Sequence, residues 1–412
     1  MNHDVVVTGM GVVTPYGTDV HTFYDALAAG KVAIKPTPWL PPDAGAYTAL
    51  VEGFVAEDWM SSKVAEGTDR FAQYALAATK LALGSAGLSQ LDSLRTAIVF
   101  GTAMGGTRAL QRAQSLLERH GPDAVPRKTQ IQVWPNMAAA QIAMEYDLHG
   151  PSLTVCTACA SSIDAIGTAT RFIQSGLADV ALTGGTEGSN GDIDFLPALS
   201  ANEMTYGMVS PTTDPSKACR PFDRDRTGIA GGDGGAIFVL ESRAHAQARG
   251  ATPLGVVRGY GSLADGYHPS SPEPSGRWEA LVMRRALEDA GLDNGAEVAA
   301  IYAHGTGTRA GDASEIRAIN EVYGYRGRDL LVTSLKGHFG HPGGSAAALN
   351  LAAALVGMAR GEVLPTASTT NPDPEIGFTL VLDKPRPADV STIQLNAFGF
   401  GGQNASLIVS RG

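Results

Sequence analysis

Residues 153–162 read LTVCTACASS, a segment that predicts a strand, a tight turn and the start of a helix. Polar and apolar residues alternate from Ser152 to Cys156, as they do in a half-buried strand. Apolar residues then recur at helical spacing as far as Gly176, and glycine commonly ends a helix. The pattern therefore places Cys159 in the turn, at or just before the N-terminus of a helix.

Cys159 has the predicted surroundings of a nucleophile. The unpaired backbone N–H groups and the positive dipole end of a helix favour a thiolate over a thiol. The same N–H groups can bind the oxyanion that develops when a carbonyl carbon is attacked. Ala158, Ala160, Ser161 and Ser162 are small and leave room for a substrate carbonyl. We therefore interpret Cys159 as a candidate nucleophile in its thiolate form.

Two other interpretations of this cysteine are open when the segment is considered alone. A free cysteine is most often a small buried hydrophobe. Cys156 and Cys159 also form a C-x-x-C pair, which in thioredoxin-type proteins is redox-active. Those proteins are far shorter and carry the pair early in the chain, whereas here the predicted strand places Cys156 before the turn. The redox interpretation is therefore disfavoured.

Composition limits the classes of function. At 412 residues the chain has the length of two or three domains, and with 44% hydrophobic and 17% charged residues it can bury a large core. A net charge of -10 argues against nucleic acid as a partner. Three cysteines indicate no disulfide framework, and we expect a reducing, cytoplasmic location. The N-terminus has no signal-like segment and no apolar run reaches about 18 residues, so we expect no membrane association.

Hydrophobic periodicity predicts alternating strands and helices. The first strand, residues 5–7, is predicted to end in a turn at Gly9 and Gly11. These glycines begin a G-x-G-x-x-G pattern, but Thr14 stands at the third glycine position, so packing of a strand and a turn is preferred to a dinucleotide site. The other predicted elements are helices over residues 70–83 and 136–146, strands over 96–100 and 178–183, and loops over 35–45 and 200–219.

The two halves of the chain repeat one another. Residues 80–88 and 96–102 reappear as residues 285–292 and 299–306, and residues 6–11 resemble residues 256–261. We expect two copies of one strand-helix unit, each with a mainly parallel sheet. The predicted halves are residues 1–250, which carry the candidate nucleophile, and residues 251–412.

Two histidines of the second half follow predicted strands. His304 begins the sequence HGTGT, and His341 lies in the segment SLKGHFGHPGG, residues 334–344, where it opens a helix of small residues. In α/β proteins, sites form at the carboxyl ends of strands. We therefore predict that His304 and His341 are functional. His338 lacks this placement and is interpreted as structural.

Four ordered motifs make the chain resemble the β-ketoacyl-ACP synthase family, and most closely its elongating synthase I/II class. The motifs are TACASS at 157–162, HGTGT at 304–308, K-x-x-x-G-H at 336–341 and N-x-F-G-F-G-G-x-N at 396–404. The resemblance covers nearly the whole chain. It implies an α/β architecture, the thiolase fold, with two duplicated halves in a five-layered α-β-α-β-α sandwich. It also implies decarboxylative Claisen condensation of an acyl-ACP with malonyl-ACP, without a metal or other cofactor.

The resemblance also implies roles for individual residues. Cys159 would be the nucleophile, with its own N–H and that of Phe400 as the oxyanion hole. His304 and His341 would bind the malonyl thioester carbonyl, and Lys336 would order the site through Glu315. The candidate substrate and pantetheine contacts are Met104, Thr306, Thr308, Phe398 and Phe400. The candidate carrier-docking residues are Lys63, Arg70, Arg127 and Lys128.

The implied partners are an acyl carrier protein and a second subunit, giving a homodimer or a heterodimer with a chain-length-factor subunit. Fatty-acid and type II polyketide or polyene pathways both fit the motifs. One alternative is a non-elongating partner subunit that shapes the acyl tunnel of another chain, although such subunits lose the cysteine that is present here. A thiolase would need a second cysteine late in the chain, and none follows Cys219.

Overall fold

The computed structural model describes residues 4–38, 46–188, 212, 214–292 and 294–412. Of the loops predicted from the sequence, residues 39–45 and most of 200–213 lie outside this range. No helix among the described residues is long and apolar enough to cross a membrane.

The strands are numbered in chain order. They are β1 (Val5–Val13), β2 (Lys35–Pro36), β3 (Tyr47–Ala49), β4 (Thr96–Gly101), β5 (Ser152–Val155), β6 (Val180–Glu187), β7 (Gly231–Gly232), β8 (Gly234–Ser242), β9 (Gly255–Ala264), β10 (Ala300–Tyr302), β11 (Leu331–Thr333), β12 (Glu362–Val363), β13 (Thr379–Leu380), β14 (Arg386–Pro387), β15 (Thr392–Gly399) and β16 (Gln403–Arg411).

The α-helices are also numbered in chain order. They are α1 (Val20–Ala28), α2 (Ser62–Ala65), α3 (Arg70–Ala86), α4 (Thr107–His120), α5 (Thr129–Val133), α6 (Met137–Glu145), α7 (Ser161–Gln174), α8 (Arg243–Ala248), α9 (Arg277–Asp289), α10 (Arg309–Tyr323), α11 (Lys336–Phe339) and α12 (Ala346–Arg360).

The two halves of the main sheet have matching strand orders. The first half runs outward as β1-β8-β6-β4-β5 and the second as β9-β16-β15-β10-β11-β13, and β1 pairs with β9 where they meet. In each half the first two pairings are antiparallel and the next two are parallel. The predicted duplication is therefore confirmed. The expectation of a mainly parallel sheet holds for the second half, where three of five pairings are parallel, and is wrong for the first half, where two of four are. Short connections such as the β15–β16 turn require antiparallel neighbours.

Helices cover both faces of each half of the sheet. Helices α7 and α12 lie in the middle, inside one large apolar cluster that also receives side chains from β1, β8, β15 and β16. A second cluster packs α3 and α6 on the outer face of the first half. A third packs α9 and α10 on the outer face of the second half. The result is the predicted succession of helix, sheet, helix, sheet and helix layers.

The glycines predicted to form a turn after residue 7 lie inside a strand instead. Strand β1 continues through Gly9 and Gly11 to Val13. A Cβ at Gly11 would overlap the backbone carbonyl oxygen of Ala78 in α3, and a Cβ at Gly9 would overlap that of Ala82. These glycines therefore permit close approach of a helix backbone, which local sequence does not reveal.

We expect Gly11→Ala to lower the free energy of unfolding by about 3 kcal/mol, because the added methyl meets backbone rather than a movable side chain. Gly84→Ala is the matched control, since Gly84 lies in α3 and its Cβ would meet no atom within 4 Å. It should raise the free energy of unfolding by about 0.8 kcal/mol through helix propensity. Urea denaturation followed by circular dichroism measures both, and equal midpoints would contradict the packing argument.

Candidate active site

The turn around Cys159 has the predicted order of elements. Strand β5 ends at Val155, a 3₁₀ turn covers Ala158–Ala160, and α7 begins at the next residue. The hydroxyl of Ser161 accepts a hydrogen bond from the Thr157 N–H at 2.9 Å and donates to the Ala158 carbonyl at 2.7 Å. These bonds hold Ala158 in the left-handed region, with φ at 48°. The backbone is thus bent sharply just before the sulfur.

Three side chains from the two halves converge at this turn. The Sγ of Cys159 and one ring nitrogen each of His304 and His341 lie within 4.8 Å of one another. The imidazole rings are nearly perpendicular, at 82°, with centroids 5.4 Å apart. His304 follows β10, and His341 follows the short helix α11. The structure therefore brings together the candidate nucleophile and the two histidines selected from the sequence.

The imidazole ring of His341 is buried but makes no hydrogen bond to the described residues. Its exposed fraction is 8%, and neither ring nitrogen has a hydrogen-bond partner among the described residues. Its backbone N–H donates to the Ala230 carbonyl at 2.8 Å, which fixes the chain but leaves the imidazole unpaired. A buried polar group without a partner is costly, so it indicates a place where a ligand binds.

His304 is held by Lys336 and Glu315. The ammonium of buried Lys336 donates to the His304 carbonyl oxygen and lies 3.4 Å from its Nδ1. One Glu315 oxygen accepts the His304 N–H at 2.8 Å, and the other accepts the Gly305 N–H at 2.7 Å. Lys336 thus contacts His304 directly, whereas the sequence analysis placed its action through Glu315. With Nδ1 facing an ammonium donor, the proton of a neutral His304 lies on Nε2.

Burial sets the charge state of both histidines. It lowers the pKa of His304 well below the usual value, and the positive charge of Lys336 lowers it further. The same two causes lower the pKa of His341. Both rings are therefore neutral at neutral pH, and each can donate one N–H. Burial raises the pKa of Glu315 to about 7, against the opposing effect of its backbone hydrogen bonds.

The expected resting thiolate is not supported. Burial raises the pKa of the Cys159 thiol, while the charge of Lys336 and the N–H of Phe400 lower it by less. Desolvation of the sulfur therefore outweighs the dipole and N–H groups of the helix terminus. The raised pKa favours the thiol form of Cys159 at neutral pH.

The β15–β16 hairpin brings the Phe400 backbone beside the turn that carries Cys159, and the oxyanion hole assigned to the N–H groups of these two residues stays a prediction. The backbone N–H of Phe400 faces the Cys159 sulfur and lowers the pKa of its thiol. A Cβ at Gly399 would lie 2.8 Å from the Thr157 carbonyl oxygen and 3.2 Å from the Cys159 nitrogen, so glycine allows this approach. The ring of buried Phe398 lies 5.8 Å from that of His304, whereas Phe400 is 49% exposed. Substrate contact by Phe398 and Phe400 stays a prediction.

The two candidate pantetheine threonines lie beside His304. Their hydroxyls are 2.8 Å apart, and the Thr306 N–H donates to a carboxylate oxygen of Asp312 at 2.9 Å. Asp312 also accepts the N–H groups of Gly307 and Phe222. It was not singled out from the sequence, although a carboxylate in the first turn of the helix after a site loop is a usable signal.

Sequence reasoning also missed the role of Glu187, the last residue of β6. It is buried and accepts the Met104 N–H at 3.3 Å and the Gly344 N–H at 3.1 Å. Met104, a candidate substrate contact, is thereby fixed through its backbone. A carboxylate at the carboxyl end of a strand two positions from the cysteine strand in the sheet was the signal available.

The candidate docking residues separate into two groups. The ammonium of Lys128 donates to the Lys63 carbonyl at 3.3 Å, so these two residues lie together with exposed Arg127. Arg70 instead donates to the Phe54 carbonyl at 3.2 Å and lies over the Phe54 ring at 5.7 Å. The structure thus brings together Lys63, Arg127 and Lys128, and uses Arg70 in packing.

Comparison with known proteins gives matches along the whole chain. The family described as Beta-ketoacyl synthase, N-terminal domain, matches residues 2–246, and its C-terminal domain matches residues 254–370. A "3-oxoacyl-[acyl-carrier-protein] synthase 2" of Vibrio cholerae is 34% identical, covering 99% of each chain. The protein of the same name from Staphylococcus aureus is 33% identical, covering 100% of this chain and 99% of its own.

Solved structures show the same fold. The ishigamide ketosynthase/chain length factor superposes with a TM-score of 0.92 at 32% identity, and a beta-ketoacyl synthase from Burkholderia phymatum with 0.90 at 33%. A type II PKS ketosynthase, in complex with its acyl-carrier protein and bound to the hexaketide, superposes with 0.90 at 26% identity. All three comparisons cover 100% of both chains.

Proposed function

Because the chain belongs to the β-ketoacyl synthase family, we propose that it condenses an acyl group held on Cys159 with a malonyl thioester presented by an acyl carrier protein. It is a ketosynthase, an enzyme of the acyltransferase class. The observation that carries the assignment of residues is the convergence of the Cys159 sulfur with one ring nitrogen each of His304 and His341, all within 4.8 Å. The unpartnered ring of His341 supports a ligand between them.

The first step transfers the acyl group. The Cys159 sulfur attacks the thioester carbonyl, a new carbon–sulfur bond forms, and the bond to the carrier sulfur breaks. The N–H groups of Cys159 and Phe400 stabilise the tetrahedral oxyanion. The thiol proton leaves with the carrier thiol, so this step is neutral in protons. Because Cys159 rests as a thiol, removal of that proton belongs to this step.

The second step joins the two substrates. Nε2–H of His304 and an N–H of His341 donate to the malonyl thioester carbonyl. When CO2 leaves, its bonding electron pair becomes the enolate, whose charge these donors stabilise. The enolate carbon attacks the acyl carbonyl and releases the Cys159 sulfur. One proton is consumed per cycle, and it restores the Cys159 thiol.

Charge placement supports chemistry that needs no metal. The trio of one sulfur and two ring nitrogens has the donor types of a zinc site. The ammonium of Lys336 lies 3.4 Å from Nδ1 of His304, where its charge opposes a second cation. Neutral imidazoles in a buried site are suited to donate hydrogen bonds instead. We therefore propose condensation without a cofactor, with substrates carried on phosphopantetheine.

The finer assignment is a fatty-acid or type II polyketide pathway. The similarity to synthase 2 proteins, at 33–34% identity, and to the ishigamide ketosynthase/chain length factor, at 32%, supports both. Acyl-ACPs of graded chain length, followed by intact-mass measurement, distinguish them by the longest acyl group that Cys159 accepts. Addition of malonyl-ACP should then yield β-ketoacyl-ACP. A chain that gains no acyl mass and forms no product would instead be a tunnel-shaping partner subunit.

An exposed sheet edge supports a two-subunit assembly. Among the described residues, strand β5 ends the sheet order and pairs only with β4, and its Leu153 is 45% exposed. Exposed apolar side chains also line the neighbouring α4–α5 region: Leu110, Leu117, Ile131 and Trp134. Open strand edges are normally covered. We propose that a second subunit covers this face, as a homodimer or a heterodimer with a chain-length-factor subunit.

Reversing Arg127 and Lys128 to Glu should raise the apparent KM for acyl-ACP, most at low salt. Acyl carrier proteins are acidic and the chain itself carries -10, so a local basic patch must overcome long-range repulsion. Steady-state acylation at two salt concentrations measures the effect. Acylation by a small pantetheine thioester should be unchanged.

The matched control reverses Lys384 and Arg386, an exposed basic pair elsewhere in the chain. This variant has the same net charge as the first and should keep the normal KM. If both variants raised KM equally, net charge rather than docking at Arg127 and Lys128 would explain the result.

A further inference from the structure

Glu187 uses its carboxylate to join segments that the proposed mechanism treats separately. The residue is 1% exposed. One oxygen accepts the N–H of Ala103 and, at 3.1 Å, that of Gly344. The other accepts the hydroxyl of Thr102 at 3.1 Å and the N–H of Met104 at 3.3 Å. Four donors therefore converge on one buried carboxylate.

The donors come from opposite sides of the site. Residues 102–104 follow β4 and carry Met104, the candidate acyl contact. Gly344 lies three residues after His341, in the 3₁₀ turn Gly343–Ser345 that follows it. The carboxylate is thus a direct connection between the segment expected to sense the acyl group and the segment that carries a malonyl-binding histidine.

Tight packing lets this connection transmit a displacement. A Cβ at Gly344 would lie 2.8 Å from the Ala103 nitrogen and 3.0 Å from the Ala158 carbonyl oxygen, so no free space separates these backbones. The Ser161 hydroxyl oxygen also lies 3.3 Å from the Thr102 carbonyl oxygen, which places the same segment against the cysteine turn. A shift of the Met104 backbone therefore moves its neighbours instead of being absorbed by a void.

We propose that Glu187 is a positioning residue that couples acyl occupancy beside Met104 to the placement of His341. The inference rests on the proposed ketosynthase function and adds a coupling between its two steps. An acyl group that displaces Met104 shifts the N–H groups bound by Glu187, and the same carboxylate carries the shift to Gly344 and His341. Loss of CO2 is thereby favoured when Cys159 is acylated, and unproductive decarboxylation is limited.

The test is the stimulation of CO2 release by acylation. Single-turnover release from malonyl-ACP is measured with Cys159 free and with Cys159 pre-acylated, and the ratio of the two rates is the stimulation. Glu187→Gln replaces one acceptor oxygen by an NH2 group facing other donors. It should lower the stimulation by about 5- to 150-fold, the usual range of coupling between two sites.

Matched variants separate coupling from general damage. Glu241→Gln neutralises another fully buried carboxylate, bound by Arg249 and His245, and should keep the wild-type stimulation. Thr102→Val removes one of the four donors to Glu187 and should lower the stimulation by a smaller factor than Glu187→Gln does. It also tests the proposal if Glu187→Gln does not fold.

Each outcome decides the matter. A stimulation in Glu187→Gln and Thr102→Val equal to that of the wild type overturns the coupling alone. The coupling is also overturned if CO2 release with free Cys159 and with acylated Cys159 both fall in proportion to the folded fraction, because the stimulation is then unchanged. Absence of CO2 release from the wild type in either state overturns the proposed function and the coupling together.

Discussion

Replacing Cys159 with alanine is expected to abolish condensation and to leave the fold intact. No sulfur remains to receive the acyl group, and loss of a covalent nucleophile costs on the order of 10⁶-fold in rate in a comparable enzyme. The fold should persist because Ala158 and Ala160 already flank the position with equally small side chains. Product mass spectrometry with acyl-ACP and malonyl-ACP measures the loss. More than a trace of β-ketoacyl-ACP would refute the nucleophile assignment.

Cys159→Gln should separate the two chemical steps. The glutamine amide places a carbonyl oxygen near the N–H groups of Cys159 and Phe400, and so resembles the acylated enzyme. Decarboxylation of malonyl-ACP should therefore persist or rise while condensation is absent. The Cys159→Ala variant is the control because it has no carbonyl. Equal decarboxylation by both variants would show that the oxyanion hole does not recognise the mimic.

Replacing His304 or His341 with alanine should reduce decarboxylation by roughly 10²- to 10³-fold, the cost of removing one donor to a developing oxyanion. The rate of Cys159 self-acylation should fall by less than the rate of decarboxylation, because the enolate forms only in the second step. CO2 release and intact-mass acylation measure the two steps separately. His149→Ala, at an exposed histidine paired with Asp147, is the control and should retain both. Equal loss of both steps in the active-site variants would contradict this division.

The local part of the site was predictable because its signals are local. A strand, small residues and an amphipathic helix around Cys159 lie within a few residues of one another, and the structure confirms their order. His304 was placed correctly for the same reason, since strand and glycine turn are adjacent in the chain. The helix predicted over residues 70–83 exists and extends to Ala86.

The errors concern interactions between distant residues. Gly9 and Gly11 resemble a turn locally, but glycine is needed there because the backbone of α3, about 70 residues further along the chain, packs against them. Strand direction has no local signature either, so antiparallel central pairs were missed. The pKa of Cys159 depends on burial in the folded chain, which outweighs the helix terminus visible in the sequence. Glu187 gains its importance from Gly344, a contact between the two halves of the chain.

Strand β5 forms one edge of the sheet and leads, through residues 156–158, to Cys159, the proposed nucleophile. A subunit that covers this edge would restrict fraying of β5 and so narrow the positions open to Cys159. Specific activity per chain would then fall on dilution, and amide hydrogen exchange at Leu153 would slow on assembly. Linkage requires the reverse effect to be equally large. If assembly strengthens acyl binding by a given factor, acylation of Cys159 must strengthen the association of the subunits by the same factor.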